Sequence, residues 1–220
     1  MSFESRFGVQ RLVRVYRFLF LVLFVLLGTG CETLLMRSDP LPVHRQLAPL
    51  PPGPICRVAV VPFLNDTDYP LADAIFHKVF AAQFQASGNY LVVQEGDILK
   101  IYQQLRLLPG ETPTPEQLQI VGRRVNAQLL ITGTVMEMRE NRDRLGSTDP
   151  VIAAEIQIRD GNNGESLWTA YHRRQGIEYQ KAMHFGTIHT ITGLSRQMAM
   201  EIINLWQKKG LKQCDVSPRS

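Results

Sequence analysis

Cysteine is scarce in this 220-residue chain: there are three, Cys31, Cys56 and Cys214, with no CxxC pair and no Cys/His ligand spacing. That argues against a structural zinc site, which needs four such ligands in set spacings. Long apolar runs are lacking as well. The stretch "FLFLVLFVLL", Phe18–Leu27, is ten residues, whereas a helix needs about 20 to cross a bilayer core. No glycine-rich turn stands between a strand and a helix to cradle phosphate, since "GNNGE" lacks that context, and Ser195 sits in no nucleophile elbow. Net charge is nearly absent once the leader is set apart. Residues 1–30 hold four arginines and one glutamate, so removing them takes the formal charge from +4 to about +1. A neutral chain has no broad positive field to gather nucleic acid.

The leader itself is informative. Arg6, Arg11, Arg14 and Arg17 precede the apolar run, and Gly28, Thr29 and Gly30 follow it. A basic start, a short apolar stretch and small residues are the pattern of a secretory signal peptide. The arginines would stay on the cytoplasmic side. "LGTGC", Leu27–Cys31, resembles a bacterial lipoprotein lipobox, with Gly28 at the place where that pattern prefers leucine. The resemblance implies cleavage before Cys31 and acylation of that cysteine. Acyl chains contribute about 0.8 kcal/mol per buried methylene, so two or three anchor firmly. Glu32 is not aspartate, which in such lipoproteins implies export to the outer membrane, periplasmic face; the inner membrane's periplasmic face is the alternative. An uncleaved signal anchor with an incidental cysteine is the competing reading of residues 1–30.

Residues 31–56 are expected to form a tether behind the lipidated cysteine. Six of the thirteen prolines lie here, at 40, 42, 49, 51, 52 and 54. Such a stretch favours extended polyproline geometry, about 3.1 Å per residue and at most roughly 70 Å in all. A loop wrapped on the domain is the plainer alternative. Cys56 and Cys214 bracket the region beyond, 57–214, with a tail at 215–220. In an oxidising periplasm they either bond and close the chain ends together or stand as two separate thiols.

Along 57–214, Arg57–Val61 is a β-branched run ended by Pro62, and Ile75, Val79, Phe80 and Phe84 recur at helical spacing. "YLVVQE" (Tyr90–Glu95) reads as a strand and "DILKIYQQLRLL" as a short helix. Thr114, Pro115 and Glu116 open another helix. "AQLLITGTVMEMRE" is a strand. "VIAAEIQIRD" alternates apolar and polar positions, and the turn "DGNNGE" leads to the returning strand "SLWTAYHRRQG". Ile191, Leu194, Met198, Ile202 and Leu205 stripe a last helix that stops at Gly210. The order β-α-β-α-α-β-β-β-α predicts one α/β (α+β) domain: a mixed sheet of about five strands with helices packed on it.

Four segments, "VAVVPFLNDT" (Val58–Thr67), "YLVVQEGDI" (Tyr90–Ile98), "VNAQLLITGTV" (Val125–Val135) and "IQIRDGNNGESLW" (Ile156–Trp168), resemble in order and spacing the superfamily of the curli-secretion lipoprotein CsgG, the synthase-activating lipoprotein LpoB and the TolB N-terminal domain. The resemblance implies a periplasmic, non-catalytic domain built for protein contacts, with no cofactor. A membrane pore of the secretion type needs four further strands of about 9–11 residues, for which "MREN" and "DRLGSTD" are too polar and short.

Candidate sites are few. Asn65, Asp66 and Asp68 fit turn and cap chemistry better than a carboxylate centre. His184 and His189 are five apart, a poor angle for a shared metal on one helix. Trp168, Tyr171, Arg173 and Arg174 on the last strand are candidate partner contacts, with core packing the competing role for the tryptophan and a solvated strand end for the arginines. The expected function is therefore an adaptor contacting an unidentified envelope protein, for example a peptidoglycan synthase, without nucleic acid. A homo-oligomeric secretion or assembly lipoprotein is the rival, and a periplasmic hydrolase the less favoured one.

Overall fold

A computed structural model describes residues 17, 41–88, 90–108, 110–142, 146–181 and 185–214. Leu41–Ser220 forms one compact unit, and Cys31, His184 and the leader apart from Arg17 lie outside the described residues.

The antiparallel part of the sheet follows directly from alternation. β5 (Leu129–Arg142), β6 (Thr148–Asp160) and β7 (Ser166–Gln175) pair in sequence. Ile152, Ala154, Ile156 and Ile158 on β6 oppose Arg174, His172, Ala170 and Trp168 on β7, so these eight share one face. The parallel part is β2 (Arg57–Val60) between β5 and the short β4 (Leu91–Val92), with β3 (Leu64–Asn65) continuing alongside β5. With β1 (Val43–Gln46) at the other edge, the full order is β1-β7-β6-β5-β2-β4 with β3 on β5, seven strands among the described residues.

α1 (Ala72–Ala86) and α4 (Ile191–Lys208) cover one face. Their layer is aromatic: Phe76, Phe80 and Phe84 are fully buried, with Phe63 and Trp206 in ring contact. Burying each such side chain stabilises by about 1.5–3 kcal/mol. α2 (Glu95–Gln104) and α3 (Pro115–Arg124) form a smaller core with Ala59, Val61, Val93 and Leu130 on the other face. α3 starts on a complete capping box: the Gln117 amide donates to the Thr114 hydroxyl, the Thr114 amide to the Gln117 side chain. Its Gly122 lies so close to the Gly161 backbone that a Cβ there would overlap it. That contact seats α3 against the β6–β7 turn, where Gln119 and Arg123 donate to the Asn162 carbonyl.

The order β-α-β-α-α-β-β-β-α is present, with the short strands β1 and β3 added to it. The second strand is shorter than its sequence suggests, because Glu95 already begins α2. That helix ends at Gln104, since Arg106 adopts a left-handed φ of 57°.

One expectation needs correction. Residues 41–56 do not hang free as a tether. β1 (Val43–Gln46) pairs antiparallel with β7, with Val43 opposite Tyr171 and Gln46 opposite Trp168. The Leu47 and Ala48 amides then donate to the Leu167 carbonyl. Ile55 is buried and bridges to Gln213. The reason is local: the prolines at 42, 49, 51, 52 and 54 flank a proline-free stretch that keeps its N–H donors, and β7 would otherwise be an open edge.

Candidate interaction surface

The face of β5–β6–β7 turned away from α1 and α4 is a polar lattice. Glu155 accepts from Gln157 Nε2 (2.7 Å) and Thr169 Oγ1 (3.1 Å), and Gln157 Oε1 from Arg159 Nη2 (2.9 Å). Glu137 accepts from Arg139 Nε and Arg173 Nε, each at 2.7 Å. The bond from Arg173 foremost, with burial opposing, holds the Glu137 carboxyl below the usual carboxylate range. A β-bulge at Met136, the extra residue between Val135 and Glu137, resets the strand here. At the sheet's edge this lattice gives way to apolar side chains: Leu41 is 71% exposed, Val43 73%, and Tyr171 39%. Val43 and Tyr171 are register partners and so share a face, with Arg45 two positions further on.

The four candidate contact residues therefore separate. Tyr171 and Arg173 are on the open face. Trp168 and Arg174 are buried under α4, which removes both from the contact surface. Trp168 packs in the aromatic core with His44 of β1 stacked over it, ring centroids 5.4 Å apart. Arg174 is 0% exposed and faces Glu201 of α4.

Glu201 is the hub of a closed cluster that the sequence reading missed. Its carboxylate accepts from His172 Nε2 (2.5 Å), Arg174 Nε and Nη2 (both 3.1 Å), Tyr179 Oη (2.8 Å) and Gln197 Nε2 (3.0 Å). Burial alone would raise this carboxyl, but the donors, led by His172 and Arg174, outweigh it and hold it at about 2. Arg174 also donates to Glu178 (3.3 Å) and lies 4.7 Å from the centre of the Tyr179 ring. Burial and the Glu201 charge push the Tyr179 hydroxyl well above its ordinary range. The cluster ties β7, the 3-10 turn Gly176–Tyr179 and α4 together. Five donors take up the lone-pair directions of the Glu201 carboxylate.

Other candidates resolve into structure. Asn65 Oδ1 accepts from the Thr67 amide and hydroxyl, and its Nδ2 donates to the Tyr69 carbonyl, which makes an Asx turn. Ser195 is buried inside α4. His189 Nδ1 contacts the Thr148 carbonyl at 2.9 Å. Cys56 and Cys214 are joined in a disulfide, Cα atoms 4.7 Å apart. Among the described residues no group of three or more His, Cys, Asp or Glu could hold a metal, and no helix is long and apolar enough to cross a membrane.

A second surface lies on the far side of the sheet from β1. A groove of about 550 Å³ opens between α2, the first turn of α1 and the end of β2, and Phe63, Leu64, Leu99, Tyr102, Leu107 and Leu108 are among its walls. Leu108 is 64% exposed. Tyr102 is buried, and its hydroxyl has no hydrogen-bond partner. Asp73, Arg106 and Glu111 are the charged residues of its lining.

No family model matches the chain, and no curated protein matches it. Among solved structures it is similar to PelC from Paraburkholderia phytofirmans, a dodecamer in two crystal forms, at 21% identity and a TM-score of 0.51. The match covers 74% of this chain and 97% of PelC in one form, 95% in the other. The fold is shared with PelC. Lipoprotein GNA1162 from Neisseria meningitidis matches at 16% identity over 70% of this chain and 99% of its own, with a TM-score of 0.49. The LpoB C-terminal domain from Escherichia coli matches at 18% identity over 54% and 82%, with a TM-score of 0.40.

Proposed function

We propose that the chain is a lipid-anchored, non-catalytic lipoprotein of the outer membrane's periplasmic face, whose α/β domain acts by docking to envelope protein. The observation that carries this reading is how the domain distributes its chemistry. Its buried ionisable cluster at Glu201 is saturated by its own donors, while its unsatisfied surface is apolar, at Leu41, Val43 and Tyr171 on one side and the groove at Leu108 on the other. An enzyme keeps a reactive group accessible in a cleft; a docking protein keeps exposed anchors. The "LGTGC" pattern supplies the anchor at Cys31. Because β1 is bound to the domain, only Cys31–Pro42 is left as tether, which reaches at most roughly 35 Å. The domain thus works close to its membrane, where tethering raises its local concentration. A peptidoglycan synthase as partner is the finer form of this reading.

A second reading, a homo-oligomeric assembly or secretion lipoprotein, is favoured by two observations. The PelC chains that share this fold are dodecamers, and the two apolar surfaces here lie on opposite sides of one sheet.

Replacing Cys31 tests the anchor. Cys31→Ser should abolish incorporation of labelled palmitate and leave the protein uncleaved or released from the membrane. Undiminished label in Cys31→Ser would place the acyl group elsewhere and remove the anchor as described.

A further inference from the structure

We infer that the β1 edge of one copy docks into the groove at Leu108 of the next, a head-to-tail contact between copies of this chain. The inference rests on the oligomeric reading above and names the surfaces that would make it.

Each surface lacks something the other has. The β1 edge presents Leu41 and Val43, with Tyr171 beside them, as a narrow apolar ridge. Its one permanent charge is Arg45, which has no ionic partner among the described residues. The groove is concave and walled by Phe63, Leu64, Leu99, Leu107 and Leu108, and two of its three charged lining residues, Asp73 and Glu111, are acidic. A ridge carrying one cation thus meets a groove with an acidic excess. That gives register to a contact whose energy is apolar burial.

The ridge cannot fill the groove of its own molecule. β1 is held to β7 over four residue pairs, and β7, β6 and β5 separate it from β2, about 19 Å at the usual strand spacing. The contact is therefore between copies. Because ridge and groove are different surfaces, it is heterologous, and such contacts repeat around a ring or along a filament instead of stopping at a pair.

The test uses the full-length protein extracted in detergent, with molar mass read by light scattering across a concentration series. Val43→Asp disables the ridge and leaves the groove; Leu108→Asp disables the groove and leaves the ridge. Both positions are mostly exposed, so unchanged thermal melts serve as the check on folding. The wild type should be a multiple of the protomer mass and each variant a monomer. An equimolar mixture of the two variants should give a species of twice the protomer mass and no larger, since only one competent ridge–groove pair exists per mixed pair. Arg45→Asp should weaken assembly and Asp73→Arg should restore it in the double variant. A wild type that is monomeric throughout overturns the oligomeric reading itself. An oligomeric wild type whose two variants keep its size overturns only this docking pair. Monomeric variants that fail to dimerise on mixing overturn the head-to-tail arrangement.

Discussion

Glu201→Ala should lower the stability of the domain by about 3–5 kcal/mol, the range for removing one partner of a buried ion pair. For a domain of this size that corresponds to a fall in Tm of roughly 10 °C, read by thermal circular dichroism. The cost comes from what remains. Arg174, with no exposed surface, loses the carboxylate to which its Nε and Nη2 donate, and the Tyr179 hydroxyl and Gln197 amide lose their acceptor. Replacing Glu201 and Arg174 together by leucine and methionine should therefore destabilise less than Glu201→Ala alone, because no fully buried charge is then left behind, and Glu178, which loses Arg174, is partly exposed. The same carboxylate sets an acid limit. Its folded pKa of about 2 lies below the ordinary 4.5, so its contribution is fully present above pH 4.5 and disappears as pH falls toward 2. Glu201→Gln should flatten stability across that window, and unchanged steepness in the variant would show that another group carries the acid sensitivity.

Reducing the Cys56–Cys214 bond should cost about 5 kcal/mol, the chain-entropy value for so long a closed segment; the two cysteines are 158 positions apart. In urea the midpoint should drop by roughly 2 M at the slope usual for this size. The bond also holds particular contacts: Ile55 donates its amide to the Lys212 carbonyl and pairs with Gln213 in an isolated parallel bridge. Cys56→Ser and Cys214→Ser should match the reduced protein and each other. Equal midpoints with and without reductant would mean that the two ends are held without the disulfide.

Sequence periodicity carried most of the fold because the large elements are amphipathic one by one. β6 alternates, α4 has a continuous stripe, and Thr114–Pro115 announces α3, so each is readable from its own residues. What stayed hidden depends on distance along the chain. Glu201 is a lone acid on its helix, and its partners His172 and Arg174 are 29 and 27 positions away; nothing local reveals that they converge. Arg174 next to Arg173 looks like a solvated pair until the strand's alternation sends one to each face. β1 was obscured by composition, since prolines around Val43–Gln46 outweighed the four residues able to pair. The groove was obscured by Leu107 and Leu108, which continue the apolar pattern of α2 although the left-handed Arg106 has already ended it. In each case the sequence showed the residue types, and the long-range pairing decided their roles.

The most direct measurement of the docking role is in-cell photocrosslinking from position 171, with Lys100 on α2, which is more exposed than Tyr171, as the control. The reading expects discrete protein adducts at 171, with another envelope protein or a second copy, and few at 100. Adducts that are absent at 171, or no more abundant there than at 100, would contradict it.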